Sequence, residues 1–197
     1  MTMVRDMNKR IAVFASGNGS NAENLIKYFK ESSHGAEVVL AVCNRPDAPV
    51  IEKAKRLGVE TCIMTRADIN DRDLMLGVLE QHSVDIVVLA GFLPMVPPFL
   101  IERYRDRIVN IHPSLLPKYG GKGMYGANVH KAVVEAGETE TGITIHFVSE
   151  NYDEGRIIFQ ARTAVDPSDT PADVERKIHQ LERQHYAQII RDTLIGL

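Results

Sequence analysis

Arg10-Ile11-Ala12-Val13-Phe14-Ala15-Ser16, running into Gly17-Asn18-Gly19-Ser20-Asn21, decides the fold. A short apolar run ends in a glycine turn, and an amphipathic stretch through Leu25, Ile26 and Phe29 follows. Strand, glycine turn and helix in that order open a βαβ unit. The rhythm then repeats. Residues 38–43 form a second apolar run, closed by Asn44-Arg45-Pro46. Residues 51–57 read as a short helix and 59–64 as a third strand. Residues 71–81 read as a helix, with Leu74, Val78 and Leu79 on one side. Residues 84–90 are nearly all apolar and make a fourth strand. Apolar runs without polar alternation fit strands covered on both faces by helices. The expected architecture is α/β: a doubly wound, mostly parallel sheet.

Composition agrees and narrows the function classes. The chain has 197 residues, 44% hydrophobic and 25% charged, which suits one globular domain of ordinary composition. Net charge is −3 with the cations dispersed, which argues against nucleic acid as the main partner. No apolar stretch reaches bilayer length, so no membrane association is expected. Residues 1–8 have no apolar signal core and read as a frayed leader, which points to a cytoplasmic location. Cys43 and Cys62 are far apart and are expected to be reduced core thiols.

The second half carries the chemistry. Two prolines precede a short helix at 99–104, and 107–111 is the fifth strand. It delivers Asn110-Ile111-His112-Pro113. Side chains two apart on a strand share a face, so Asn110 and His112 project together where proline ends the ladder. An amide donor beside a titratable ring can steady a developing oxyanion and move a proton. The segment 118–126 has four glycines in nine residues and reads as a functional loop. A helix is expected at 128–136 and a strand at 141–149 in which His146 faces outward, towards a possible cleft. A further strand at 156–165 and a long helix from Thr170-Pro171 to about residue 192 complete the chain.

Gly17-Asn18-Gly19-Ser20-Asn21-Ala22 formally fits G-x-G-x-x-G/A. The second strand ends in Cys43-Asn44-Arg45, however, without the acid that would hold a dinucleotide ribose. Polar Asn18, Ser20 and Asn21 favour a phosphate monoester held by hydrogen bonds at the helix N-terminus. A catalytic His needs a carboxylate to orient it. Asp153 and Glu154, adjacent in the loop after the alternating strand, both qualify by charge. His130, His179 and His185 have helical surroundings and read as surface or packing residues.

Four motifs agree on one family. Gly17-Asn18-Gly19-Ser20-Asn21, Ala90-Gly91-Phe92, Asn110-Ile111-His112-Pro113-Ser114-Leu115-Leu116-Pro117, and Gly142-Ile143-Thr144-Ile145-His146-Phe147-Val148 with Asp153 closely resemble the folate-dependent phosphoribosylglycinamide formyltransferases. The resemblance covers nearly the whole chain. It implies the formyltransferase fold with a Rossmann-like N-terminal half, and formyl transfer from 10-formyltetrahydrofolate to an amine in purine synthesis. It implies Asn110, His112 and Asp153 as the catalytic trio. Gly17, Asn18, Gly19, Ser20 and Asn21 would hold the ribonucleotide phosphate, and Glu182 its sugar. Arg72, Leu93, Pro94, Met95 and Val96, with Asn110, would meet the folate. No metal is implied, and the partners are small molecules, with the chain a monomer or homodimer. Two positions depart from the family pattern: Pro94 replaces a commonly basic residue, so folate contacts there would rest on backbone groups. Residues 118–126 replace the more usual Pro-Gly-x-x-x-His loop. The alternative is a formyltetrahydrofolate hydrolase, which shares the N-x-H-P core but gives the formyl group to water. That family usually carries an extra N-terminal domain ahead of the first strand.

Overall fold

The computed structural model describes residues 8–196; of the expected leader at 1–8, all but Asn8 lies outside them. Seven strands form one sheet in the order β3-β2-β1-β4-β5-β6-β7. They are β1 (Lys9–Ala15), β2 (Ala36–Cys43), β3 (Glu60–Ile63), β4 (Ile86–Leu89), β5 (Ile108–His112), β6 (Glu140–Phe147) and β7 (Ile157–Ala164). β1 to β5 run parallel, whereas β6 and β7 are antiparallel to their neighbours. The segment expected as a strand at 141–149 is β6, an interior strand paired to β5 and β7.

Helices cover both faces, as continuous apolar strands require. One face packs beneath α1 (Ser20–Phe29), α2 (Pro49–Arg56), α6 (Ala127–Glu135) and α7 (Pro171–Ile190). Its core holds Ile11, Val13, Val109, Ile111, Ile143 and Ile145. The other face packs Ala12, Phe14, Val87 and Leu89 against α3 (Arg66–Asn70), α4 (Arg72–Gln81) and α5 (Pro98–Arg103). The side-chain period of two on β1 thus sorts neighbouring residues into opposite cores. Apolar periodicity does not predict α3, which is too short to show one. A capping box starts it: Thr65 Oγ1 accepts from the Asp68 N–H, and Asp68 Oδ2 accepts from the Thr65 N–H. The same box, Thr170 with Asp173, starts α7 with Pro171 in its first turn.

Cys43 is buried, but Cys62 is only half-buried, because β3 is an edge strand with one side open. This corrects its assignment to the core. Both thiols are free. No helix among the described residues is long and apolar enough to cross a membrane.

The strand order reverses between β1 and β4: β2 leaves β1 on one side and β4 lies on the other. Loops that depart in opposite directions there leave a crevice at the carboxyl ends of the strands. Tyr186 of α7 ties β4 to β5 behind it. Its buried hydroxyl donates to the Leu89 carbonyl (2.7 Å) and lies 3.3 Å from that of Val109. Burial raises this phenol well above its ordinary value, so it remains a donor.

Candidate active site

A cavity of about 700 Å³ opens at that crevice. Loops after β1, β4, β5 and β6 and the cavity-facing side of α7 line it. β5 ends at His112, so Asn110 and His112 both reach the cavity from one strand. The antiparallel pairing places His146 opposite Asn110. Asp153 comes in from the loop after β6 at a positive φ of 56°, a conformation Asp tolerates better than most residues.

The distances define a connected polar cluster. His112 Nδ1 lies 3.5 Å from Asp153 Oδ1, and both side chains are almost fully buried. His112 Nε2 lies 2.7 Å from the Tyr119 carbonyl, which can only accept, so Nε2 carries a proton. His146 Nδ1 faces the Phe147 carbonyl at 2.9 Å and is fixed as a donor in the same way. His146 Nε2 faces both Asn110 Nδ2 at 3.1 Å and Asp153 Oδ1 at 3.6 Å: it accepts from the amide in the neutral ring and donates to the carboxylate when the ring is protonated. The second N–H of the Asn110 amide is left for a ligand. Asp153 Oδ2 accepts from the Gly121 N–H at 2.9 Å. Glu154 instead accepts from Asn151, so the structure places Asp153 and not Glu154 beside the imidazole.

Burial pushes the His112 imidazole below its ordinary pKa, while the Asp153 carboxylate and the Tyr119 carbonyl oppose that shift. Burial works to raise Asp153, but His146, His112 and the Gly121 N–H together hold its carboxyl below the usual range. The pair therefore rests as a neutral ring beside a carboxylate. A proton added at Nδ1 would be received between them.

The glycine loop also lines the cavity. Gly19 caps α1 at φ 73°, and a Cβ there would sit 2.4 Å from Val50 Cγ2. Only glycine fits, for both reasons. No side chain caps α1, so its first N–H groups stay available to an anion. Asn18 Oδ1 is held by Lys53 Nζ at 3.1 Å.

Glu182 is buried on α7 and also lines the cavity. His179 Nδ1 is 2.9 Å from Glu182 Oε2, and that contact raises the His179 pKa. His130 is buried and lines the cavity too, with no partner for Nδ1. Both histidines thus correct the reading of surface or packing residues, whereas His185 does pack, against the Phe159 ring. The signal was available for α7: Glu175, His179 and Glu182 recur at helical spacing on one face. Nothing local marks His130.

Leu93, Pro94, Met95 and Val96 form one wall, with Leu93 and Met95 exposed despite their apolar side chains. Tyr152, exposed in the Asp153 loop, also lines the cavity and was not anticipated. The Leu93 N–H donates to Ser16 Oγ at 2.9 Å, and proline has no N–H. Backbone donors at Leu93 and Pro94 are thus unavailable, which leaves those two residues their carbonyls and apolar surface. Arg72 stands apart. It is exposed at the start of α4 and outside the cavity lining. A contact there requires a ligand that extends beyond the cavity.

Comparison with known proteins gives the family. The Formyl transferase family model matches residues 9–190. The Bacillus subtilis phosphoribosylglycinamide formyltransferase is 37% identical over 193 residues, 96% of this chain and 96% of that protein. The chloroplastic phosphoribosylglycinamide formyltransferase of Arabidopsis thaliana is 39% identical over 187 residues, 92% of this chain. The match spans 64% of that plant protein's length, and 60% of its Vigna unguiculata counterpart. Among solved structures, glycinamide ribonucleotide transformylase 1 from Geobacillus kaustophilus superposes with a TM-score of 0.86 at 36% identity. That alignment covers 96% of this chain and 100% of that one.

Proposed function

Because the chain belongs to the formyl transferase family, on its phosphoribosylglycinamide formyltransferase branch, we propose that it transfers the formyl group of 10-formyltetrahydrofolate to the amine of 5'-phosphoribosylglycinamide. The observation that carries this reading is the meeting of Asn110, His112 and Asp153, from a strand and a separate loop, in the cavity that also holds the glycine loop. The substrate phosphate would sit on the N–H groups of Gly19 to Asn21, and its ribose hydroxyls would bind the Glu182 carboxylate. The apolar wall of Leu93, Pro94, Met95 and Val96 would take the folate ring system.

The amine lone pair attacks the formyl carbon. A C–N bond forms and the carbonyl becomes an oxyanion, which the free N–H of Asn110 would stabilise. Removing one such donor typically costs ~10²–10³ in rate. The attacking nitrogen sheds a proton to His112, and Asp153 stabilises the imidazolium. The proton then passes to the folate nitrogen, the C–N bond to that nitrogen breaks, and the carbonyl reforms. The formyl carbon is electrophilic enough that this route calls for no metal. Both thiols are free, which fits a reducing, cytoplasmic setting.

The test is incubation with 10-formyltetrahydrofolate, with and without phosphoribosylglycinamide. Formylated product that appears only with the amine supports the proposal. Formate released without it points to a hydrolase.

A further inference from the structure

Residues 119–121 touch both members of the His–Asp pair at once. The Tyr119 carbonyl accepts from His112 Nε2, and two residues later the Gly121 N–H donates to Asp153 Oδ2. Gly120 lies between them, so close that an added Cβ would meet Leu116 Cδ2 at 2.6 Å and Asp153 Cβ at 3.4 Å. This bracket is not held by regular structure. Tyr119 sits at φ 55° and Gly121 at φ 92°, and a non-glycine residue keeps such a conformation only where its surroundings impose it.

What imposes it lies outside the cavity. The Tyr119 hydroxyl donates to Glu138 Oε1 at 2.9 Å, and Lys118 Nζ grips both oxygens of the same carboxylate at 2.9 and 3.0 Å. Glu138 is two residues ahead of β6, the strand paired with β5, so it is anchored to the sheet that carries His112. It does not line the cavity. Ser114 Oγ adds a bond to the Lys118 carbonyl at 2.6 Å from the buried side.

We propose that Glu138, acting through Tyr119 and Lys118, is a positioning residue that holds the 119–121 bracket against the His112–Asp153 pair. With the bracket in place, His112 Nε2–H is committed to a backbone carbonyl and the ring cannot flip, so the exchangeable proton is confined to the Nδ1 side. This rests on the formyl-transfer reading for its effect on rate, but not for its effect on the ring itself.

The groups facing His112 are Asp153 in the loop after β6, His146 on β6, His130 on α6 and the Tyr119 carbonyl. Of these, only the carbonyl depends on the Glu138 contact directly. Loss of that carbonyl removes one influence that raises the His112 pKa. The test uses Tyr119→Phe, Glu138→Ala and the double variant in the full chain, each first shown by circular dichroism to be folded. The His112 ring is titrated by NMR, and kcat and KM are measured across pH. Expected are a His112 midpoint at lower pH and kcat lower by about 10-fold or more, approaching the ~10² that an ångström of misplacement costs. KM for both substrates should stay unchanged, and the double variant should be no worse than the worse single one. An unmoved His112 midpoint in both single variants overturns the proposal, whatever the activity. If the midpoint moves but the wild type transfers no formyl group, the positioning stands and the functional reading falls.

Discussion

Replacing Asp153 by Asn tests the proton route most directly. The exchange keeps the volume and leaves an oxygen to accept the Gly121 N–H at 2.9 Å. Asn also tolerates the positive φ of 56° at this position, so the fold should survive. What changes is the charge 3.5 Å from His112 Nδ1, where the two side chains are only 5% and 11% exposed. At an effective dielectric of about 20, two unit charges at that separation interact by about 5 kcal/mol. Opposite charges at such range usually shift a pKa by about 1–3 units, or about 1.4–4 kcal/mol. The new amide would also donate to the neutral ring, which favours that form further. The His112 pKa, already held low by burial, should fall by about 1–3 units and turnover by about 10- to 10³-fold. A steady-state assay across pH, paired with an NMR titration of the His112 ring, reads both. A variant that is folded, with wild-type kcat and a wild-type pH profile, would refute the proton-shuttle assignment.

Other perturbations have equally defined outcomes. Gly19→Ala forces a side chain into Val50 and a left-handed residue on the chain, which should cost roughly 2–5 kcal/mol in chemical denaturation. The KM for the ribonucleotide should rise with it. Glu182→Gln should raise that same KM by about 10- to 100-fold with kcat largely kept, the worth of one hydrogen bond to a charged group. It should also bring the His179 pKa down, because the Glu182 contact is what raises it. Thermal stability should fall on acidification in two stages. His112 and His130 have depressed pKa values in the fold, mainly through burial. Unfolded chains therefore take up these protons first; His179, raised by Glu182, works the other way, but the two buried rings outweigh it and stability declines as pH drops below about 6.5. Asp153 and Asp169 are also depressed, and the Asp173 capping-box carboxylate lies far below its ordinary value. Their contribution is present above about pH 4 and is lost as pH falls through the folded-state values. A scanning-calorimetry series whose Tm rises between pH 7 and 5 would contradict this.

The sequence by itself determined the alternation of strands and helices, apart from the short α3, and which polar side chains stand at the strand ends. Ile11 to Phe14 are apolar without alternation, and only a strand covered on both faces can satisfy that run. Asn110 and His112 share a face because the strand period is two, a local fact that needs no tertiary knowledge. The glycines at 17 and 19 mark a turn before a helix, and the capping chemistry at Thr170 marks the start of α7. Charge and spacing leave Asp153 and Glu154 equal and only the family resemblance favours Asp153; the tertiary structure supplies the physical reason, a left-handed backbone that aims Asp153 at His112 and turns Glu154 to Asn151. It also brought His130 and His179 to the cavity, left Cys62 half-open on an edge strand and set Arg72 apart. Each of these depends on the crossing of segments remote in the chain. Periodicity tells a residue which face of its own element it occupies, but not what stands opposite that face. That is fixed by the strand order and by loops such as 118–121, whose bonds to His112 and Asp153 come from a carbonyl and an N–H that every residue carries and no sequence pattern distinguishes.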